Sequence, residues 1–249
     1  MIQLYRFRCS HFCEKASWAL DYKGLAWEAV DLVPGRHAAI IRRLAPRSSV
    51  PLLRDGDSVV QGSSEIITYL DQRYEGPRLT PTEAQAASLA LEWERYLESE
   101  VGVPLRLWFY HQLLPDREAC LDFLLEGAPR SARLVYRFTW PLLRRRMRRF
   151  LKIDAANADA AEQRMRAAFD RLDGTLAQHR YLVAERFTRA DLCAAALLSR
   201  LCLPPTAGLG ADGAGPPPPE AIRALRAELQ QRPFYRWIVA LRAQRQPPA

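Results

Sequence analysis

The sequence lacks any run of about 18 uncharged apolar residues, the length that a membrane-spanning helix needs. Its first ten residues have a strand-like pattern instead of the apolar core of a secretory signal peptide. We therefore expect a cytoplasmic protein with no membrane partner. The 249 residues are 49% hydrophobic and 26% charged, which is typical of a globular protein of one or two domains.

Cysteine is also scarce, and its count is odd. Five cysteines in a chain without a secretory signal argue against a disulfide framework. Cys9 and Cys13 lie four residues apart, but no histidine pair stands at the spacing of metal ligands. We therefore expect no metal site.

Lysine is nearly absent, since only 3 of the 36 basic residues are lysines and 33 are arginines. The formal charge of +8 raises the question of a nucleic-acid partner, but such a surface needs clustered cations. We interpret the single cluster as a solvated helix face and expect no nucleic-acid partner. The cluster contains Arg144, Arg145, Arg146, Arg148, Arg149 and Lys152.

The first 76 residues alternate between strand and helix periodicity, in the order βαβαββα. Asp55-Gly56-Asp57 lies between two short apolar runs and predicts a tight hairpin. The pattern indicates a small α/β sandwich. The predicted strands are 2–7, 27–33, 51–54 and 58–60, and the predicted helices are 11–23, 38–44 and 63–74.

After residue 76 the pattern changes to almost continuous helical periodicity. We predict an α/β domain over 1–76, a linker over 77–83 and an all-helical domain over 84–249. A loop rich in proline and glycine is expected over 203–219. Helices are predicted near 83–113, 116–127, 130–152, 158–178, 188–202, 219–230 and 233–245.

Three local features of the α/β domain are suited to binding a ligand. Ser10 begins the turn Ser10-His11-Phe12-Cys13, where the free N–H groups of a helix N-terminus stabilise an anion such as a thiolate. Val50-Pro51 precedes a strand, a place where a cis peptide turns neighbouring backbone groups toward a ligand. Gly62-Ser63 opens a helix and can hold a carboxylate. For both serines the alternative is a plain helix cap.

These features resemble a known family when they are taken in order. The stretch Ala45–Leu53, the Asp-Gly hairpin and the stretch Gly62–Leu70 resemble the thioredoxin-like domain of cytosolic glutathione transferases. The segment Phe187–Leu192 is similar to that family's Ser/Thr-x-Ala-Asp segment, which forms a capping box at the head of a buried helix. With Ser10 in the turn, the chain resembles the serine-type classes, theta and delta.

The resemblance implies a thioredoxin-like domain followed by an all-α domain, acting as a glutathione S-transferase. Glutathione is then the co-substrate, and the enzyme is a homodimer. Ser10 is implied as the hydrogen-bond donor to the glutathione sulfur, which attacks a hydrophobic electrophile or an organic hydroperoxide. The implied substrate-binding residues are Phe12, Arg36, His37, Val50, Pro51, Gly62 and Ser63, with Pro51 in the cis form.

The sequence departs from the family at Gly62, where glutamate or aspartate is common. The ammonium of the γ-glutamyl unit then has no partner, unless Glu65 or an acid from a second subunit replaces it. Ser63 is implied as the ligand of the γ-glutamyl carboxylate. Candidates for the glycyl carboxylate are Arg36, His37, Arg42 and Arg43.

Two other functions stay open. Cys13 occupies the position of the resolving cysteine in thioredoxin-like proteins, so thiol-disulfide reduction through Cys13 is one alternative. A non-catalytic binding protein is the other, favoured by Gly62 and by Ala45 and Ser48 in the family's Asn-Pro-x-Gly segment. In each case the pocket is expected between the domains, with Trp93, Tyr96, Trp108, Phe109, Tyr110 and His111 as candidate lining residues.

Overall fold

The first part of the chain folds around a four-stranded mixed sheet. The structure is a computed structural model that describes residues 1–202 and 217–245. Its strands lie in the order β2-β1-β3-β4, with β1 parallel to β2 and antiparallel to β3. The strands are β1 (Ile2–Arg6), β2 (Trp27–Asp31), β3 (Leu52–Asp55) and β4 (Ser58–Gln61).

Three helices complete this sheet domain, which confirms the predicted βαβαββα order. The stripe of Ala16, Ala19 and Leu20 on the first helix is completely buried. Gly24 follows that helix at a φ of +65°, a conformation that favours glycine after a helix end. The helices are α1 (His11–Tyr22), α2 (His37–Ile41) and α3 (Ser63–Arg73).

The hairpin also forms as predicted. Asp55 pairs with Ser58 across a two-residue loop, in which Gly56 has a φ of +57°. A positive φ at this position is what the tight turn requires. The hairpin sets β3 beside β1, so that the residues preceding β3 lie next to the start of α1.

The second part of the chain is helical, as predicted. Its helices are α4 (Ala84–Leu97), α5 (Val103–Leu113), α6 (Arg117–Leu124), α7 (Arg130–Phe150), α8 (Ala155–Leu176), α9 (Arg189–Leu197), α10 (Ser199–Cys202), α11 (Glu220–Leu229) and α12 (Pro233–Ala243). Every residue of α9 is buried. Thr188 and Asp191 form the predicted capping box at its head, where Asp191 accepts the Thr188 N–H at 2.7 Å.

The long helix predicted near 83–113 is interrupted in the structure. A π-helical turn over Glu98–Gly102 separates α4 from α5. Pro104 has no N–H to donate to the preceding turn, and such a residue disturbs regular helical hydrogen bonding. The prediction of a second long helix near 188–202 was also too simple, because Leu198 separates α9 from α10.

Buried ion pairs connect the two parts of the molecule. Lys15 of α1 lies 2.6 Å from Glu94 of α4, and Arg189 of α9 lies 2.7 Å from the same carboxylate. The Lys15 ammonium also contacts Glu98 at 2.8 Å. These pairs hold α1, and with it the Ser10 turn, against the helical domain.

Within the described ranges, none of the helices is both long and apolar enough to cross a bilayer. The same ranges hold no group of three or more histidine, cysteine, aspartate or glutamate side chains placed to bind a metal. The loop predicted over 203–219 lies outside the described residues, apart from its last three positions.

Candidate functional site

A cavity of about 820 Å³ lies between the sheet domain and the helical domain. The sheet domain contributes residues from the end of β1, the start of α1 and the loops before α2 and β3. Helices α5, α6, α7 and α10 contribute the opposite wall. Its lining includes Phe7, Cys9, Ser10, His11, Phe12, His37, Val50, Arg106, Phe109, Tyr110, Phe123, Leu143, Arg146, Met147, Arg149, Phe150 and Arg200.

Ser10 lies on the cavity wall at the N-terminus of α1. Its backbone is extended, and its hydroxyl oxygen accepts the Cys13 N–H at 3.3 Å, so Ser10 is the N-cap of the helix. No oxygen or nitrogen acceptor for the hydroxyl proton is found among the described residues, and its side-chain neighbour is the Cys13 thiol, a weak acceptor. Because the cap uses only the oxygen, this proton can be donated to an anion in the cavity, where the positive end of the helix also acts.

The loop before β3 presents unpaired backbone groups to the same cavity. The Val50-Pro51 peptide bond is cis, as the sequence predicted. Neither the N–H nor the carbonyl of Val50 has a hydrogen-bond partner within the described chain. The Pro51 carbonyl accepts the Gly62 N–H at 3.1 Å, which connects the loop to the start of α3. Val50 is thus available to pair with an extended peptide.

His37 is the one candidate for the glycyl carboxylate that lines the cavity among those the sequence suggested. Its Nδ1 accepts the Gly35 N–H at 2.9 Å, and its ring contacts the Phe7 ring edge-on at 4.7 Å between centroids. Burial lowers the pKa of His37. The other three candidates are exposed and lie outside the cavity: Arg36, Arg42 and Arg43.

The start of α3 lies outside this cavity and has an unusual geometry. Gly62 has a φ of +115°, which strains any other residue, and a Cβ added there would collide with the Glu65 carboxylate. The Glu65 side chain therefore occupies the space into which an acidic side chain at position 62 would extend. Ser63 is buried, and its hydroxyl lies 3.4 Å from the Glu98 carboxylate.

Cys13 of the turn and Cys9, just before the turn, are both buried. Cys13 is 1% exposed and is not part of the cavity wall. Burial raises the pKa of the Cys13 thiol to about 11. Cys9 does line the cavity, but burial raises the pKa of its thiol to about 12. At neutral pH both side chains are thiols and therefore weak nucleophiles.

Of the aromatic residues that the sequence suggested, Phe109 and Tyr110 line the cavity. Trp93, Tyr96, Trp108 and His111 do not. Phe12 lines it from the sheet domain, and the centroid of its ring lies 4.7 Å from that of the His11 ring. The cavity therefore has many apolar lining residues, as expected, but fewer aromatic residues of α4 and α5 contribute to it than the sequence suggested.

Two polar residues of the wall were missed by the sequence reasoning. His11 is 8% exposed, and its Nε2 has no hydrogen-bond partner among the described residues. Burial, followed by the charge of Arg106, lowers the pKa of His11 to about 3. Arg106 stands three and four residues before Phe109 and Tyr110, so helical spacing was the signal that could have found it.

The basic cluster near residue 150 is largely exposed, as expected of a solvated helix face. Two of its members, Arg146 and Arg149, also line the cavity. Both side chains are exposed, so they lie at its mouth. The face that they share with Met147 is turned toward the site because α7 packs across the opening.

Comparisons with known protein families match both parts of the chain. Residues 4–78 match the glutathione S-transferase N-terminal domain. Residues 130–207 match the glutathione S-transferase C-terminal domain.

Individual proteins agree with these matches. A probable glutathione S-transferase of Nicotiana tabacum is 26% identical over 109 residues, which are 43% of this chain. The chain spans about half of the length of that relative, 49%. Glutathione S-transferase 3 of Zea mays is 29% identical over 195 residues, 76% of this chain and 73% of that protein.

A solved structure is similar over nearly the whole fold. It is the theta class glutathione S-transferase from the citrus canker pathogen Xanthomonas axonopodis pv. citri with glutathione bound. The TM-score is 0.57 at 24% identity, and the alignment covers 94% of this chain and 95% of that one.

Proposed function

Because the chain belongs to the glutathione S-transferase family, we propose that it activates the thiol of glutathione with Ser10 for attack on a hydrophobic electrophile. The observation that supports this role is the geometry of Ser10, whose oxygen caps α1 and whose proton is left for the cavity. A hydrogen bond and a helix N-terminus together favour the thiolate over the thiol. Ser10 stabilises the nucleophile and does not itself attack.

The residues around Ser10 can orient glutathione in one direction. The free backbone groups of Val50 pair with the cysteinyl unit, which brings the sulfur to Ser10. Ser63 and the N-terminus of α3 hold the γ-glutamyl carboxylate. Glu65 takes the γ-glutamyl ammonium in place of the acid that Gly62 lacks. His37 lies toward the glycyl end.

The reaction itself needs only the thiolate and an electrophile. The sulfur forms a bond to the electrophilic carbon, the leaving group departs with its electron pair, and the thiol proton goes to solvent. Phe12, Phe109 and Phe123 would hold the apolar body of the electrophile. The same thiolate can attack the terminal oxygen of an organic hydroperoxide, which breaks the O–O bond, releases the alcohol and leaves glutathione sulfenic acid. A second glutathione then converts this acid to glutathione disulfide and water, so we include a peroxidase side activity in the proposal.

We further propose that the enzyme is a cytoplasmic homodimer, with domain limits at residues 76 and 84. These statements rest on the family resemblance and on the change of pattern in the sequence. Light scattering should give twice the mass of one chain, and a monomer in solution would contradict the dimer.

The catalytic assignment is tested with Ser10→Ala and Cys13→Ala. Loss of one preorganised donor lowers the rate by about 100-fold, so we expect that loss of kcat with 1-chloro-2,4-dinitrobenzene for Ser10→Ala. Cys13→Ala should retain the wild-type rate, because Cys13 is buried away from the cavity.

Two other results would favour the alternatives. If Cys13→Ala abolishes reduction of a glutathionyl disulfide while Ser10→Ala leaves it intact, the protein is a thiol-disulfide reductase. If isothermal titration calorimetry shows glutathione binding but neither electrophiles nor cumene hydroperoxide react, the protein is a binding protein. Absence of glutathione binding at millimolar concentration would refute the proposed function entirely.

A further inference from the structure

The cavity has cationic walls and no carboxylate among its described lining residues. Four arginines line it: Arg106, Arg146, Arg149 and Arg200. Arg200 is paired with Glu126 at 3.1 Å. Within the described residues, the other three have no carboxylate within the 4.0 Å of an ion pair. A concave site with charge of one sign concentrates ligands of the opposite sign.

Arg106 is the arginine that lies deepest among these three. It is half-buried on α5, whereas Arg146 and Arg149 are exposed at the mouth. No hydrogen-bond acceptor for its guanidinium is found within the described chain. Burial lowers the pKa of Arg106, which reflects the cost of holding a charge away from water without a partner. A bound anion would remove that cost.

The neighbouring His11 points to the same conclusion independently. Its Nε2 is buried without a partner, and it lies close enough to Arg106 to sense the charge. Buried polar atoms in folded proteins are nearly always hydrogen-bonded, so an unpartnered buried nitrogen close to a half-buried guanidinium without a carboxylate partner indicates a place for a polar ligand group. His11 and Arg106 therefore mark one polar spot within apolar surroundings.

The remaining wall determines what carries that polar group. Phe109, Phe123, Leu143 and Met147 surround the spot and offer no charge. The ligand therefore combines an apolar body with one negative group. Glutathione does not need Arg106, because the proposed sites for its carboxylates, at Ser63 and His37, are both on the sheet domain.

We propose that the electrophile of this enzyme is an apolar molecule that carries a carboxylate or sulfonate, held by Arg106. The inference rests on the proposed function and specifies the substrate class of the same site. Arg146 and Arg149 attract the anion at the mouth, and Arg106 binds it in the cavity. Arginine suits this role because its guanidinium makes two parallel hydrogen bonds to a carboxylate.

The test uses 4-chloro-3-nitrobenzoate and its neutral counterpart, 4-chloro-3-nitrobenzamide. In both reactions the glutathione sulfur bonds to the ring carbon, the C–Cl bond breaks to release chloride, and the thiol proton goes to solvent. The wild-type enzyme should show a kcat/KM about ten-fold higher for the benzoate than for the benzamide, after correction for the uncatalysed rates.

The variant Arg106→Leu should remove this preference, so that its kcat/KM values for the benzoate and the benzamide agree within about two-fold after the same correction. Arg106→Lys, which retains the charge without the paired donors, should keep part of it. The matched control is Arg236→Leu, since Arg236 is an exposed arginine on α12, outside the cavity. It should behave as the wild type does with both substrates.

Binding of unreactive ligands tests the inference separately from turnover. Calorimetric titration with 3-nitrobenzoate and 3-nitrobenzamide, in the presence of glutathione, should show tighter binding of the anion and no preference in Arg106→Leu. Equal wild-type binding of the two ligands would overturn the inference. So would displacement of nitrobenzoate by glutathione, which would assign Arg106 to the glutathione site. Failure of both reactions, with tighter binding of nitrobenzoate retained, would count against the proposed function and not against this inference.

Discussion

In the proposed glutathione site, Glu65 takes the role of the acid that position 62 lacks. Its carboxylate lies where a side chain at Gly62 would begin, next to the Ser63 that opens α3. The positive φ of Gly62 makes an acid at that position costly, since only glycine adopts such a backbone without strain. One turn of helix separates the two positions, so the Glu65 carboxylate reaches the space beside position 62.

We predict that Glu65→Gln weakens glutathione binding by about ten-fold, the usual loss for one charge-assisted hydrogen bond. Calorimetry measures the dissociation constant. A glutathione analogue that lacks the γ-glutamyl amine should bind equally well to the wild type and to the variant. Equal weakening for both ligands would show that Glu65 maintains the structure of the site and does not bind the γ-glutamyl ammonium. Glu75→Gln, at an exposed position beyond α3, serves as the control.

At the scale of elements, the junction of α4 and α5 places the cavity wall against the Ser10 turn. The π-helical turn brings Gly102 so close to Phe12 that an added Cβ would lie 2.8 Å from the end of the ring. Two methyl carbons of Leu197 lie 3.2 and 3.3 Å from the same point. A larger residue at this position therefore fits only if Phe12 or Leu197 shifts, although the φ of Gly102 is that of an ordinary helix.

We predict that Gly102→Ala lowers stability and raises KM for the electrophile, because Phe12 is pushed toward the cavity. Overpacking typically costs about 1–3 kcal/mol, which outweighs the helix propensity that alanine gains. Gly174→Ala on α8 is the matched control, since an added Cβ there meets nothing within 4 Å. It should stabilise the protein by up to about 1 kcal/mol in urea unfolding. Equal effects of the two substitutions would refute the packing argument.

At the scale of the whole molecule, the two domains are joined by buried charge. Glu94 receives Lys15 from the sheet domain and Arg189 from α9, and all three side chains are at most 2% exposed. Arg189 also donates to the Ser64 carbonyl at 2.9 Å. The network thus fixes α1 and α3 relative to α4 and α9 of the helical domain.

Glu94→Gln should therefore destabilise the protein strongly, because it leaves the buried Arg189 without a carboxylate and the buried Lys15 with Glu98 alone. Breaking a buried pair in this way costs about 3–5 kcal/mol, measured as the free energy of unfolding in urea. The surface pair of Glu228 and Arg166 provides the control, as both side chains are more than 40% exposed. Glu228→Gln should change stability by less than about 1 kcal/mol. A similarly small effect of Glu94→Gln would show that the network does not hold the domains together.

The sequence by itself predicted the features that depend on neighbouring residues. The order of strands and helices, the Asp-Gly hairpin and the capping box of Thr188 and Asp191 all follow from periodicity and local hydrogen bonds. The Ser10 cap belongs to this group as well. Each of these features is decided within a few residues, so its signal is present in a short stretch of sequence.

Only the tertiary structure decided which side chains are buried, paired or turned into the cavity. Cys13 and Ser10 are three residues apart, yet one is covered by the core and the other faces the cavity. Arg106 lacks a carboxylate partner among the described residues. Lys15 has two, Glu94 and Glu98, and both lie more than 75 residues away from it along the chain. Desolvation and ion pairing depend on distant segments that fold together, so no local pattern could have shown that this apolar cavity holds an unpaired cation.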